Sequence, residues 1–160
     1  MRFDVNGNIT PHEVIKPDLQ TLEQMFVLDF PESKTRKLIF ENYLQFIHHF
    51  QNQITHSFYQ WIDGSFISNK HNPNDIDFVT FIDYKDYESK NEGLVAFSNI
   101  SLHRDKYIDS YFVKVYPVYH ALCELTTKLD TLEWLHLFSK TRIQRDGKKY
   151  PKGIIQLNFE

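Results

Sequence analysis

The sequence predicts an α/β or α+β domain in which a small mixed β-sheet is flanked by helices. Three observations lead to this fold class. A long run of apolar residues recurs at helical spacing, short apolar runs of strand type alternate with helical stretches, and no repeat or low-complexity tract interrupts that order. With 160 residues, of which 41% are hydrophobic, the chain has the size of one domain with its own core.

The first third of the chain is predicted to contain an N-terminal arm and helices. Residues 1–17 carry closely spaced Asn, Gly and Pro residues, which predict an arm with one short strand. Asp18 can cap a helix over Leu19 to Leu28, and Pro31 stands where a second helix could begin. From Ser33 a long amphipathic helix is predicted, because apolar residues recur at steps of three and four: Ile39, Tyr43, Phe46, Ile47, Phe50 and Ile54.

The rest of the chain alternates between strands and helices. Four strands are predicted: Phe58 to Ile62, Asp75 to Ile82, Tyr107 to Tyr116 and Ile154 to Phe159. A mixed helix is expected around Tyr84 to Ser98. The second strand is apolar on both faces beyond its first three residues, which predicts an interior position in the sheet.

A helical region is predicted from Pro117 to about Lys140. Its leucines recur at helical spacing, and we expect the face that they form to pack in the core: Leu122, Leu125, Leu129, Leu132, Leu135 and Phe138. Cys123 lies among these apolar residues and is expected to be buried and inert. The stretch 140–160 is predicted to be a basic loop followed by the last strand.

Composition narrows the class of protein. Cys123 is the only cysteine, so no internal disulfide can form, and a reducing cytoplasm is the simplest location. No run approaches the roughly 18 apolar residues that span a bilayer, so no membrane association is expected. The net charge of −3 argues against general coating of nucleic acid. A local basic cluster remains, either as a solvated loop or as a contact for a triphosphate or RNA backbone: Lys140, Arg142, Arg145, Lys148, Lys149 and Lys152.

The stretch WIDGSFISNKHNPNDIDFVTFID, residues 61–83, carries the most specific chemistry. Because strand side chains alternate, Asp75 and Asp77 are expected on one side of their strand. Two such carboxylates repel each other unless a cation lies between them, and Mg²⁺ prefers oxygen ligands of this kind. Gly64 permits close backbone approach and Ser65 offers a hydroxyl, so this turn is predicted to cradle phosphates. The alternatives are that the carboxylates are solvated and that Ser65 caps a helix.

This pattern resembles the DNA polymerase beta-like nucleotidyltransferases. They carry a Gly-[Gly/Ser] turn, nine to thirteen residues, and Asp-x-[Asp/Glu] between apolar positions. Here Gly64-Ser65 is followed, after nine residues, by Asp75-Ile76-Asp77. Asp63 departs from the family pattern, in which an apolar residue usually precedes the glycine.

A small branch of the same superfamily is similar along nearly the whole chain. Its N-terminal "F-x-x-x-G-x-x-x-P" arm corresponds to residues 3–11, and its "GSF…K…P-x-DID" segment to residues 64–77 with Lys70 and Pro73. Its C-terminal "R-x-x-R-x-G…PKGI" segment corresponds to residues 142–154. The resemblance adds Lys70 to Gly64 and Ser65 as candidate nucleotide-binding residues.

The resemblance implies transfer of a nucleoside monophosphate from a triphosphate such as ATP to a hydroxyl acceptor on RNA, protein or a small molecule. Mg²⁺ or Mn²⁺ would be the cofactor, with Asp75 and Asp77 as metal ligands and catalytic residues. Superfamily enzymes use a third acid on a neighbouring strand. Asp109 is the first candidate and Asp105 the second, to deprotonate the attacking hydroxyl or complete a second metal site.

Several biological roles follow from the wider superfamily. Its members include antibiotic nucleotidyltransferases, tRNA-modifying enzymes, and toxin and antitoxin proteins. The expected acceptor is therefore a tRNA or a protein, and the expected role is that of a toxin or phage-defence component. The expected protein partner is a cognate antitoxin or a second copy of the chain in a homodimer. The alternative from another class is a non-catalytic nucleotide- or partner-binding module with the same fold.

Overall fold

A five-stranded mixed sheet forms the centre of the computed structural model, which describes residues 1–98 and 107–160. Its strand order is β3-β7-β4-β5-β6. The strands are β3 (Val14–Ile15), β4 (Phe58–Asp63), β5 (Ile76–Asp83), β6 (Ile108–Val115) and β7 (Ile154–Phe159). β5 runs parallel to β6, β3 runs parallel to β7, and the other neighbours are antiparallel. The predicted mixed α+β architecture, with Asp75 to Ile82 as an interior strand, is confirmed.

The N-terminal arm contains more strand than predicted. β1 (Arg2–Phe3) and β2 (Ile9–Thr10) form a separate antiparallel pair, and β3 joins the main sheet. The helices are α1 (Leu19–Glu23) continued by a π-helical turn (Gln24–Leu28), α2 (Arg36–Gln53), α3 (Tyr84–Ser89), α4 (Asn91–Phe97), and α5 (Lys128–Phe138) preceded by a π-helical turn (Cys123–Thr127). Within the described part of the chain, no helix is both long and apolar enough to cross a bilayer.

Local signals explain where the helices begin and end. The Asp18 side chain accepts a hydrogen bond of 2.7 Å from the Thr21 amide, as a helix cap does. The segment 84–98, predicted as one helix, is divided into α3 and α4. Lys90 has a φ of −113° and a ψ of 19°, which is outside the helical range.

One face of the sheet packs against α2. The apolar residues predicted for this helix are buried, and the Tyr43 and Phe78 rings meet edge to face with centroids 5.3 Å apart. A chain of buried polar groups also links the layers. The Tyr43 hydroxyl donates to the Gln60 side-chain oxygen at 2.6 Å, and the Gln60 amide donates to the Thr80 hydroxyl at 2.9 Å. These bonds fix the register of β4 against β5 from within the core.

The opposite face carries a smaller core. It consists of Trp61, Val79, Phe81, Val113, Phe138 and Ile154. α5 contacts this core through Trp134 and Leu135. The prediction that the apolar residues from Leu122 to Phe138 form one core face is wrong for Leu125, Leu129 and Leu132, which are 68%, 57% and 60% exposed. Leu135 and Phe138 of the same set do contact this core, so α5 docks through a side that includes only the last two members of the predicted face. Cys123 is buried, as predicted.

Arg36 holds the loop that follows β4. Its side chain is fully buried, and Nη1 donates to the carbonyls of Phe26 and Phe66 at 2.8 and 2.6 Å. Nη2 donates to the carbonyls of Ser68 and Lys70 at 2.7 and 2.6 Å. Four carbonyls on one planar guanidinium fix the path of residues 66–70, which join the Gly64 turn to β5.

Candidate functional site

Three aspartates form a row across neighbouring strands. Asp63, at the end of β4, pairs directly with Asp77 of β5, and Asp77 pairs directly with Asp109 of β6. Directly paired residues of adjacent strands project on the same face. The three side chains therefore share the face opposite to α2. The prediction that the Asp109 strand lies beside the strand of Asp77 is confirmed.

Gly64 lies directly against this row. Its φ is +82°, a left-handed conformation that favours glycine. A Cβ atom at this position would overlap Oδ2 of Asp77. Gly64 is thus required both by the turn and by the carboxylate beside it, so the turn and the acid row form one structural unit.

The other predicted nucleotide-binding residues are placed differently. Ser65 does not begin a helix, because residues 64–69 form bends and turns in which the Ser68 hydroxyl donates to the Ser65 carbonyl at 2.8 Å. The interpretation of Ser65 as a helix cap is wrong. Lys70 is exposed, and its backbone carbonyl accepts a hydrogen bond from the Arg36 guanidinium. Lys70 is not among the charged groups that act most strongly on Asp77.

Asp77 is the electrostatic centre of the site. Burial and the neighbouring charges of Asp75, Asp63 and Asp109 raise its pKa from 3.8 to about 7, and Arg142 partly opposes this shift. Asp75, where the strand was predicted to start, lies one residue before the observed start of β5, and its charge raises the pKa of Asp77 more than that of any other neighbour. Three carboxylates therefore act on Asp77 at one end of the paired strands.

Two cations of the C-terminal basic cluster lie at the acid row. Lys152 pairs with Asp63 at 2.5 Å, and Arg142 lowers the pKa of both Asp63 and Asp77. Burial nevertheless raises the pKa of Asp63. The Oδ1 atom of Asp63 has no hydrogen-bond partner among the described residues, although the backbone of Gly64 lies close enough to lower the pKa of this carboxyl.

Tyr111 links the acid row to α5. Its hydroxyl donates to Oδ2 of Asp109 at 3.3 Å, and its ring lies 4.9 Å from that of Trp134. Burial and the charges of Asp109 and Asp77 raise the pKa of the Tyr111 hydroxyl. Tyr111 was not among the predicted site residues. The strand alternation from Asp109 to Tyr111 puts it on the site face, but no sequence motif marks it.

Two predictions about the acids have different outcomes. Asp105, the second candidate for the third acid, lies outside the described residues. Among residues 1–98 and 107–160, no group of three or more His, Cys, Asp or Glu side chains has an arrangement that could hold a metal ion. The paired strands bring Asp77 and Asp109 side by side, whereas the closer convergence of three ligands remains a prediction.

Comparison with known proteins identifies a family. The family described as "Family of unknown function (DUF6932)" matches residues 1–158. The chain belongs to this family. No curated protein and no solved structure matches it. The matched residues include the acid row, the Gly64 turn and the C-terminal cations.

The contact between Gly64 and Asp77 gives the first testable prediction. Replacing Gly64 by Ala should destabilise the fold by about 1–3 kcal/mol more than the same change at Gly147, because overpacking adds to the left-handed backbone penalty. Gly147 is the matched control, since its φ is +77° and a Cβ there meets open space. Urea unfolding measures both. Equal losses at the two sites, or an excess that persists when Asp77 is also changed to Ala, would contradict the contact.

The raised pKa of Asp77 gives the second prediction. Its carboxyl holds its proton more tightly in the folded state, so its contribution to stability is full below about pH 4 and is lost as the pH rises through about 7. With divalent ions removed by a chelator, the native chain should lose stability relative to Asp77→Asn as the pH rises from about 4 to about 7. Thermal melts across this range provide the comparison. Parallel profiles for the two proteins would argue against a strained carboxylate.

Proposed function

We propose that the chain is a nucleotidyltransferase that moves a nucleoside monophosphate from a triphosphate to a hydroxyl acceptor, with Mg²⁺ or Mn²⁺ as cofactor. The observation that carries the proposal is the direct pairing of Asp77 with Asp109, next to the Gly64 turn. This pairing supports the third-acid role that the superfamily resemblance assigns to Asp109.

The donor chemistry of the site fits a divalent cation. Asp75, Asp77 and Asp109 supply carboxylate oxygens, which are hard ligands suited to Mg²⁺. Their mutual repulsion, together with burial, raises the pKa of Asp77, and a bound cation would relieve this repulsion. When bound, the metal would neutralise charge that develops on the transferred phosphoryl group. Asp75 and Asp77 are the proposed holders, with Asp109 beside them.

The other roles fall to the chain's own groups. The backbone amides of the Gly64–Ser65 turn would bind phosphate oxygens, because no side chain at Gly64 blocks their approach. Asp109 would accept the proton of the attacking hydroxyl, whose oxygen bonds to the α-phosphorus as the bond to the leaving pyrophosphate breaks. The Tyr111 hydroxyl, which donates to Asp109, would orient that carboxylate. Arg142 is exposed and acts electrostatically on Asp77, so it is placed to attract an anionic triphosphate.

The acceptor and setting are proposed from the resemblance. The candidate reaction modifies a hydroxyl group of a tRNA or a protein. The enzyme would act in the cytoplasm as a toxin or phage-defence component. A second function is a module that binds a nucleotide without transferring it. One observation favours this second function: the described acids contain no ready-made set of three metal ligands. The two functions differ in whether Asp109 is needed for turnover.

The test is transfer of an α-labelled nucleotide. The native chain is incubated with each labelled triphosphate, Mg²⁺ and cell extract, and the labelled species is identified. Asp77→Asn should abolish transfer and the rise in melting temperature on adding Mg²⁺ or Mn²⁺. Asp109→Asn should lower turnover at least roughly a hundredfold while nucleotide affinity changes little, because its main role would be in the chemical step.

Asp83→Asn is the matched control. Asp83 lies on the same strand face as Asp77 but at the far end of β5, where it caps α3, and Asn caps helices equally well. This variant should keep native transfer. Nucleotide binding without transfer in the native chain would favour the binding module. Equal transfer by the native chain and Asp109→Asn would contradict the third-acid role.

A further inference from the structure

α5 and the turn before it expose a surface that no described part of the chain covers. We call it the leucine surface. Its core residues are Leu122, Leu125, Leu129 and Leu132, which are 39%, 68%, 57% and 60% exposed. Val118 and Tyr119, 86% and 89% exposed, extend it at one end. Adjacent large apolar side chains of this number usually mark a protein–protein contact.

The spacing of the residues on the leucine surface indicates which kind of secondary structure would cover it. Leu125 lies in the π-helical turn, and Leu129 and Leu132 follow it on α5 at steps of four and three. On α5 the step from Leu129 to Leu132 is the a-to-d step of two helices that pack side by side, and Val118 and Leu122 extend the surface from the turns before it. The opposite side of the same helix is already used, because Trp134, Leu135 and Phe138 contact the sheet. The occupant is therefore a helix that lies along α5.

The charges beside the seam indicate which helix. In heptad terms Lys128 holds a g position and Glu133 the next e position, and both are exposed. In a parallel pair of helices, g of one strand faces e five residues further along its partner. Lys128 of one copy would thus face Glu133 of a second copy, and the twofold axis repeats the contact. Lys128 also pairs with Glu124 of its own chain, in the π-helical turn. A lysine in such a pair still carries its positive charge beside the seam.

We propose that the leucine surface is the dimer interface of this chain, in which two copies of α5 pack in parallel. The interface buries identical leucine seams and forms two Lys128–Glu133 pairs between copies. The proposal is independent of nucleotidyl transfer, since Trp134 and Tyr111 separate the seam from the acid row. A monomeric transferase and an inactive dimer are both conceivable outcomes, so each proposal can fail alone.

The test is sedimentation equilibrium of the full chain over a wide concentration range. The native chain should be a dimer. Leu129→Glu should raise the dissociation constant at least roughly tenfold, because a carboxylate would be buried in the seam. Leu38→Glu is the matched control, since Leu38 is 46% exposed on α2, away from the surface. Thermal melts of each variant show that it remains folded.

Exchanging the charges of Lys128 and Glu133 tests whether the two copies of α5 pack in parallel. Lys128→Glu alone and Glu133→Lys alone should each weaken the dimer, because like charges would then face each other. The double variant should bind more tightly than either single variant. A native monomer at all concentrations would overturn the proposal and assign the surface to a different protein. A dimer insensitive to Leu129→Glu, or a double variant weaker than both singles, would also overturn it.

Discussion

The site depends on the register of β5 between its two neighbours. β5 runs antiparallel to β4 and parallel to β6, and the two registers bring Asp63, Asp77 and Asp109 opposite one another. Because the side-chain period of a strand is two residues, a slip of one residue would turn Asp77 into the core and Phe78 out of it. The buried bonds from Tyr43 to Gln60 and from Gln60 to Thr80 oppose such a slip. Buried hydrogen bonds on the α2 side of the sheet thereby hold the three aspartates in position on the opposite side.

The same row of acids destabilises the folded state, because buried like charges repel one another. Burial and like charges raise the pKa of Asp77 to about 7, and burial raises that of Asp63. Lys152 offsets part of this repulsion by pairing with Asp63, and Arg142 offsets more from the exposed loop. Functional sites often concentrate perturbed carboxylates in this way. Two members of the C-terminal basic cluster, which the sequence predicted as either a solvated loop or a ligand contact, are thus part of the electrostatics of the site.

Local patterns in the sequence predicted much of the fold and the acids. Strand ends, the long amphipathic helix and the pairing of the Asp109 strand with the Asp77 strand followed from periodicity and from the superfamily resemblance. Features that depend on tertiary placement did not follow. The helical period of Leu125, Leu129 and Leu132 marked an apolar face but not the side on which α5 docks. The four carbonyls around Arg36 come from two separate segments, residue 26 and residues 66–70, and no local signal joins them. Ser65 matched a motif that often precedes a helix, yet the chain turns there instead.

The most direct measurement is the anomalous diffraction of Mn²⁺ in crystals of the native chain grown with that ion. Mn²⁺ accepts the same oxygen ligands as Mg²⁺ and can be located without ambiguity. A metal site on the acid row should give an anomalous peak within bonding distance of the Asp77 carboxylate, shared with Asp75 or Asp109, and the peak should be lost in Asp77→Asn. A fully loaded crystal with a peak only elsewhere, or with no peak beside Asp77, would contradict a metal-dependent transferase site on this row.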